Sequence, residues 1–167
     1  LSQATIYGDF ICEGGEFENS EKTALSANGA DFKRNVCLRQ NFSARGKVEL
    51  SSASIGQNLD CRSGEFYNVP GTALEADLAI VQGSVLLSSK CRATGAVFLS
   101  GIVIGENLQC EKGIFGNQGK IALCVQSAEI KDSVYLGSGF KATGEVSLSG
   151  ANIGNSLICE GLFENSR

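Results

Sequence analysis

Residues 53–66 read ASIGQNLDCRSGEF, and residues 102–115 read IVIGENLQCEKGIF. The same pattern stands at 4–17, ATIYGDFICEGGEF, and returns at 151–163, ANIGNSLICEGLF, one residue shorter. Cys12, Cys61, Cys110 and Cys159 thus recur every 49 residues, as do Ile6, Ile55, Ile104 and Ile153. Phe17, Phe66 and Phe115 keep the same step, and Phe163 arrives one residue early. A fixed step shared by this many apolar columns marks a repeat architecture, in which each unit buries its apolar face against the next. The units are 4–52, 53–101 and 102–150 with a partial one at 151–167, all in a single repeat domain, 1–167.

Each unit divides again. Ala53-x-Ile55 and Leu59-x-Cys61 are echoed by Ala79-x-Val81 and Val85-x-Leu87. The step from Ala53 to Ala79 is longer than the step from Ala79 to Ile102, where the next unit opens. Short apolar-x-apolar pairs separated by small or polar residues read as strands with one buried face, too short to be helices. The arrangement predicts an all-β, right-handed parallel β-helix with about two coils per 49-residue repeat and about seven coils in all; the hand follows from the rule for parallel crossovers. At a strand spacing of ~4.8 Å the rod is on the order of 30 Å long. Gly56, Gly105 and Gly154, with Gly95 and Gly144, are expected at tight corners of positive φ. A leucine-rich horseshoe would need a consensus Asn and a helical segment, and a β-sandwich would not impose a constant step.

Residues 144–159, GEVSLSGANIGNSLIC, show the fullest form of the unit, G-x-V-x-L-x-G-A-x-I-G-x-x-L-x-C. It resembles the long-repeat bacterial proteins built on that segment and is more distantly similar to pentapeptide-repeat proteins. The second resemblance implies a square, right-handed β-helix, although the pairs here stand four to eight residues apart instead of uniformly five. The strand pattern at Leu1-Ser2-Gln3-Ala4 and the end in the loop after Phe163 predict a segment of a longer repeat array.

Composition narrows the chemistry. The chain has no His, which excludes Ser-His-Asp triads, Cys-His pairs and imidazole zinc sites. Fourteen Lys and Arg against eighteen Asp and Glu leave a net charge of −4, unsuited to tracking nucleic-acid phosphates. No apolar run approaches the roughly 18 residues of a membrane span, and no signal-peptide pattern is present. Seven cysteines, an odd number, predict free thiols and a reducing, cytoplasmic compartment. The four repeat cysteines face inward two coils apart, ~9.6 Å, beyond the ~7 Å reach of a disulfide. Cys91 takes the place of Phe42 and Phe140, a core column, whereas Cys37 and Cys124 fall between inward residues and are expected to be exposed. No CxxC supports a metal, and no motif supports a cofactor. In Gly113–Lys120 the spacing is wrong for a phosphate loop and Ile121 stands where Ser or Thr is required. Glu13, Glu16, Glu18, Glu160 and Glu164 read as a solvated edge, since the middle units keep no constant carboxylate pair. The sequon at Asn41-Phe42-Ser43 is discounted because Phe42 belongs to the core.

Function is therefore sought on outward positions. Between the inward residues of the second strand, successive coils present Ile11, Cys37, Asp60, Leu86, Gln109, Tyr135 and Ile158. This apolar run predicts a partner-binding stripe of Ile11, Cys37, Leu86, Tyr135 and Ile158, with Phe98 on another face. The reading is a non-catalytic β-helical scaffold for protein–protein contact or self-assembly, through coil ends or the stripe, with no catalytic residue, cofactor or metal. Three alternatives stand beside it. The pentapeptide resemblance implies a DNA-mimicking, topoisomerase-binding protein; the fold class allows a carbohydrate-active β-helix enzyme; and the chain could be a domain of a larger enzyme whose chemistry lies elsewhere.

Overall fold

A computed structural model describes residues 1–165, apart from the side chain of Glu21; Ser166 and Arg167, assigned above to the closing loop, lie outside the described residues. The chain winds as a parallel β-helix of about seven turns, and three seven-stranded parallel sheets form its sides. Coil 1 contributes Thr5–Ile6 to sheet A, Phe10–Ile11 to sheet B and Glu16–Ser26 to sheet C. Coil 2 contributes Asp31–Phe32, Val36–Cys37 and Ser43–Glu49 in the same order. The register alternates as the sequence spacing requires: Thr5 pairs with Asp31 across the longer step, and Asp31 with Ser54 across the shorter one. Three sides per turn, not the four of a square coil, follow from the two short strands and one long one.

Register stacks like on like, and this makes the core. Ile55, Val81 and Ile104 lie in one fully buried column, and Leu59, Val85 and Leu108 in another. The cysteine column is completed by leucines: Cys61, Leu87, Cys110 and Leu136 alternate, all buried. Aromatic rings alternate between two neighbouring positions. Long coils place Gly64 at the corner and Phe66 two residues later, and short coils place Phe42 or Phe140 at the corner with Ala44 or Ala142 after it. Each coil but the fourth then supplies one ring to this ladder, and the rings stack at 5.6 Å for Phe17–Phe42 and 5.3 Å for Phe42–Phe66. The ladder resumes with Phe115–Phe140–Phe163 at 5.5 Å per step, Cys91 filling the gap between its halves. A smaller side chain there breaks aromatic contact without opening the core.

The glycines of the repeat act differently from the expectation. Gly56, Gly105 and Gly154 do not have positive φ; a Cβ on them would run into the backbone carbonyl oxygens of Lys33, Gln82 and Lys131 in the preceding coil. Close approach of coils selects them, not corner conformation. Gly95 and Gly144 do have positive φ, +120° and +129°, but they lie inside strands of sheet C, not at corners. The left-handed corners are occupied largely by other residues, among them Gln3, Ser52, Leu78 and Ser127.

A polar ladder runs up the corner between sheets A and B. The backbone N–H of Asn35 donates to Asp9 Oδ1 (3.0 Å), that of Asn58 to Asn35 Oδ1 (3.1 Å) and that of Ser84 to Asn58 Oδ1 (2.8 Å). Asn107, Ser133 and Ser156 continue it, each N–H donating to the side-chain oxygen of the coil before, at 3.1–3.3 Å. Corner N–H groups that the sheets leave unpaired are satisfied in this way.

Candidate interaction faces

Sheet B carries the outward column read from the sequence, and the structure splits it in two. Ile11 is 60 % exposed, while Leu86, Tyr135 and Ile158 are half-buried and face out with Gln109 between the first two. Between these groups the stripe is interrupted. Cys37 is buried, only 7 % exposed, and Asp60 is 4 % exposed. The expectation that Cys37 is an exposed contact residue is therefore wrong. It is held in register between Ile11 and Asp60, beside Arg39, whose guanidinium spans from Glu13 of coil 1 (Nη2–Oε1, 2.8 Å) to Asp60 of coil 3 (Nη1–Oδ2, 2.7 Å). Cys124, also expected at the surface, is buried against register partners Phe98 and Ser147, its Sγ 3.4 Å from Ser100 Oγ.

Asp60 is the most constrained charge on this face. Arg62 grips it from the other side, with Nε 2.9 Å from Oδ1 and Nη2 2.7 Å from Oδ2. Burial pushes its carboxyl upward, but hydrogen bonds from Arg62 and Arg39 outweigh that and hold it below the ordinary carboxylate range. The group is spent on structure. Among the described residues, no three His, Cys, Asp or Glu side chains converge as a metal ion would require.

Sheet C is corrugated, which the sequence reading did not anticipate. Its strands alternate between 11 residues (Glu16–Ser26, Glu65–Glu75, Ile114–Cys124) and 7 (Ser43–Glu49, Arg92–Phe98, Lys141–Ser147). The register shifts between Glu18 and Thr23, and again between Gly116 and Ile121, so the extra residues leave the sheet as short loops on coils 1, 3 and 5. Each loop is closed by an Asn side chain: Nδ2 of Asn19, Asn68 and Asn117 donates to the carbonyl of Thr23, Thr72 and Ile121 at 2.8, 2.8 and 2.7 Å. Beneath each loop base sits the strand glycine of the next coil. A Cβ on Gly95 would lie 2.6 Å from Asn68 O and 2.9 Å from Gly71 O. The signal was present in the sequence, because Asn19, Asn68 and Asn117 keep the full repeat step.

Between the loops lie troughs floored by the short strands. The trough over coil 4 is a groove of about 380 Å³, with Ala96 and Phe98 on its floor, Pro70 and Ile121 on its walls and Lys120 and Glu145 at its rim. A second lobe of about 360 Å³ extends it past Val69 and Thr94. Phe98, assigned from sequence to a separate face, lines this groove and not the sheet B stripe. Compared with protein-family models, curated proteins and solved structures, the chain matches none. Function therefore rests on the chain's own surfaces. Among the described residues, no helix is long and apolar enough to cross a membrane.

Proposed function

We propose that this chain is a non-catalytic β-helical scaffold that works by protein contact. The observation that carries the reading is the row of Leu86, Tyr135 and Ile158 on the outer side of sheet B, in register on a rigid parallel framework. Apolar side chains held one or two strand spacings apart, ~4.8 Å from Tyr135 to Ile158 and ~9.6 Å from Leu86 to Tyr135 across Gln109, on a surface fixed by interstrand hydrogen bonds, meet a partner with little ordering cost. Seven unpaired thiols support a reducing compartment for it. The resemblance to long-repeat bacterial proteins fits this reading, in which the coils are spacer and surface together.

The test compares wild type with Tyr135→Glu in affinity capture from a cell extract and in light-scattering mass. A partner, or a self-associated form, kept by wild type and lost by Tyr135→Glu with an unchanged β-sheet circular dichroism spectrum is the expected result. Identical capture and mass for the two proteins refutes the stripe.

A further inference from the structure

We propose that sheet C is the face through which two copies of this chain pair, with the loops of one seated in the troughs of the other and the two rods antiparallel. The premise shared with the scaffold reading is only that the rod acts by contact; the face is a different one.

The geometry follows from the two-coil period. Loops stand on coils 1, 3 and 5, and troughs lie over coils 2, 4 and 6. Both series repeat every ~9.6 Å, twice the strand spacing. A twofold axis along the strand direction, set between coils 3 and 4, brings every loop of one copy onto a trough of the other: coil 3 meets coil 4, coil 1 meets coil 6 and coil 5 meets coil 2. A symmetric contact of this kind is self-complementary and closes at two copies.

Chemistry agrees at each contact. Among the three loops, that of coil 3 has the apolar tip, Val69-Pro70, with Val69 43 % exposed, and it meets the trough floored by Ala96 and Phe98. Around the axis, Val69, Pro70 and Phe98 of both copies form one apolar cluster. The coil 1 strand carries Glu16 and Glu18 ahead of its loop and Lys22 at the loop's end, and the coil 6 trough presents Lys141, level with Glu16, at its start and Glu145 at its end, all exposed. Because the axis preserves strand direction, opposite charges face each other at both ends. Lys120 of the coil 5 loop meets the coil 2 trough, where Lys47 is bound by Glu49 (2.6 Å) and Glu75 (3.1 Å), a cluster of net charge −1. Arg45, in the same trough, is turned onto the Tyr67 ring at 5.7 Å. Six overlapping strands of seven residues cover about 550 Å² per copy, about 1,100 Å² in all before corrugation adds to it, against the roughly 1,000 Å² a specific interface needs.

Sedimentation velocity over a hundredfold concentration range tests this with the 167-residue chain. The 17.5 kDa protein is expected to shift to twice that mass. Val69→Arg, at an exposed loop tip, weakens dimerisation at least tenfold. Lys22→Glu and Glu145→Lys each weaken it, and the double charge reversal restores it. The two residues lie about 24 Å apart within one chain, five coils at the strand spacing, so rescue reports contact between copies. A monomer at every concentration overturns the proposal, as does a double variant without rescue. A dimer untouched by Val69→Arg but dissolved by Tyr135→Glu moves the contact to sheet B, overturning this pairing while the proposed function stands. Growth beyond a dimer that ignores Val69→Arg also overturns it.

Discussion

Gly95→Ala is a sharp test of how the loops of sheet C are held. The residue lies in the middle of Arg92–Phe98 at φ +120°, a conformation that costs an L-residue about 1–3 kcal/mol. The added methyl would sit 2.6 Å from Asn68 O and 2.9 Å from Gly71 O, both backbone atoms at the base of the coil 3 loop, and 3.2 Å from Ala73 Cβ. Ala73 is fully buried, so relief has to come from the loop base moving outward by several tenths of an ångström. That movement strains the 2.8 Å bond from Asn68 Nδ2 to Thr72 O, worth about 1 kcal/mol net. Together these terms give a loss of about 2–4 kcal/mol, a large share of the roughly 5–15 kcal/mol that holds a domain folded. The control is Gly116→Ala, in the same sheet, where φ is not positive and nothing lies within 4 Å of the new methyl. That change should raise stability by about 0.4–1 kcal/mol through the unfolded chain. Guanidinium unfolding followed by far-ultraviolet circular dichroism reads both, the midpoints being compared at constant slope because repeat arrays can unfold in parts. If Gly95→Ala unfolds within about 1 kcal/mol of wild type, the account of the loop base is wrong.

Thiols, the Asp60 carboxyl and one strained corner supply further tests. Burial raises the thiols of Cys61, Cys91 and Cys110 above the ordinary value of 9.0, so the unfolded chain releases protons that the folded chain keeps. Stability is full below pH 9 and falls above it by about 1.4 kcal/mol per pH unit for each such thiol, and Cys110→Ala should make the alkaline limb of the denaturation curve shallower by that one thiol's share. In the native protein Cys159 and half-buried Cys12 should react with a disulfide reagent, the other five only after unfolding. The Asp60 carboxyl is lowered, so its contribution is present above the unfolded carboxylate range near pH 4 and is lost as pH falls through the folded value; Asp60→Ala should cost about 1–2 kcal/mol at pH 7, discounted because Arg39 and Arg62 are partly solvated, and should flatten the acid limb of the stability curve. Leu78, 66 % exposed at φ +58°, occupies a left-handed corner whose equivalents include Gly29 and Gly101. Leu78→Gly should therefore raise the melting temperature slightly, and a fall would mean that its contact with Gly101 outweighs the strain.

Inward columns were legible because burial acts on side-chain type: a position closed to water in every coil admits only Ala, Ile, Leu, Val, Phe or Cys, and the alternating longer and shorter steps follow from where those residues recur. Facing in the second strand was legible too, yet exposure was not. Cys37 alternates outward as read, but it is buried beside Arg39, which reaches Asp60 and Glu13, contacts between neighbouring coils that strand alternation does not encode. Gly56 and Gly95 looked alike as isolated glycines, although one yields to a carbonyl of the preceding coil and the other to a loop base. The Asn19, Asn68, Asn117 column and the Asp9-to-Ser156 ladder kept their step visibly. Polar residues at such positions pass for ordinary loop composition until the register shows what they bond.

The alternation of rings and loops also sets how such a chain can change length. Deleting one short coil would bring two long coils together, stacking a Phe66-type ring position on its own kind and setting two Asn-closed loops ~4.8 Å apart with no glycine strand between them; deleting a long coil would bring two short coils together with no loop between them. Deleting or duplicating both coils leaves every neighbour as it was. The solenoid therefore has a grammar of pairs: insertions and losses survive only as whole two-coil repeats, and a single-residue slip, which would turn each inward side chain out, is not a step it can take.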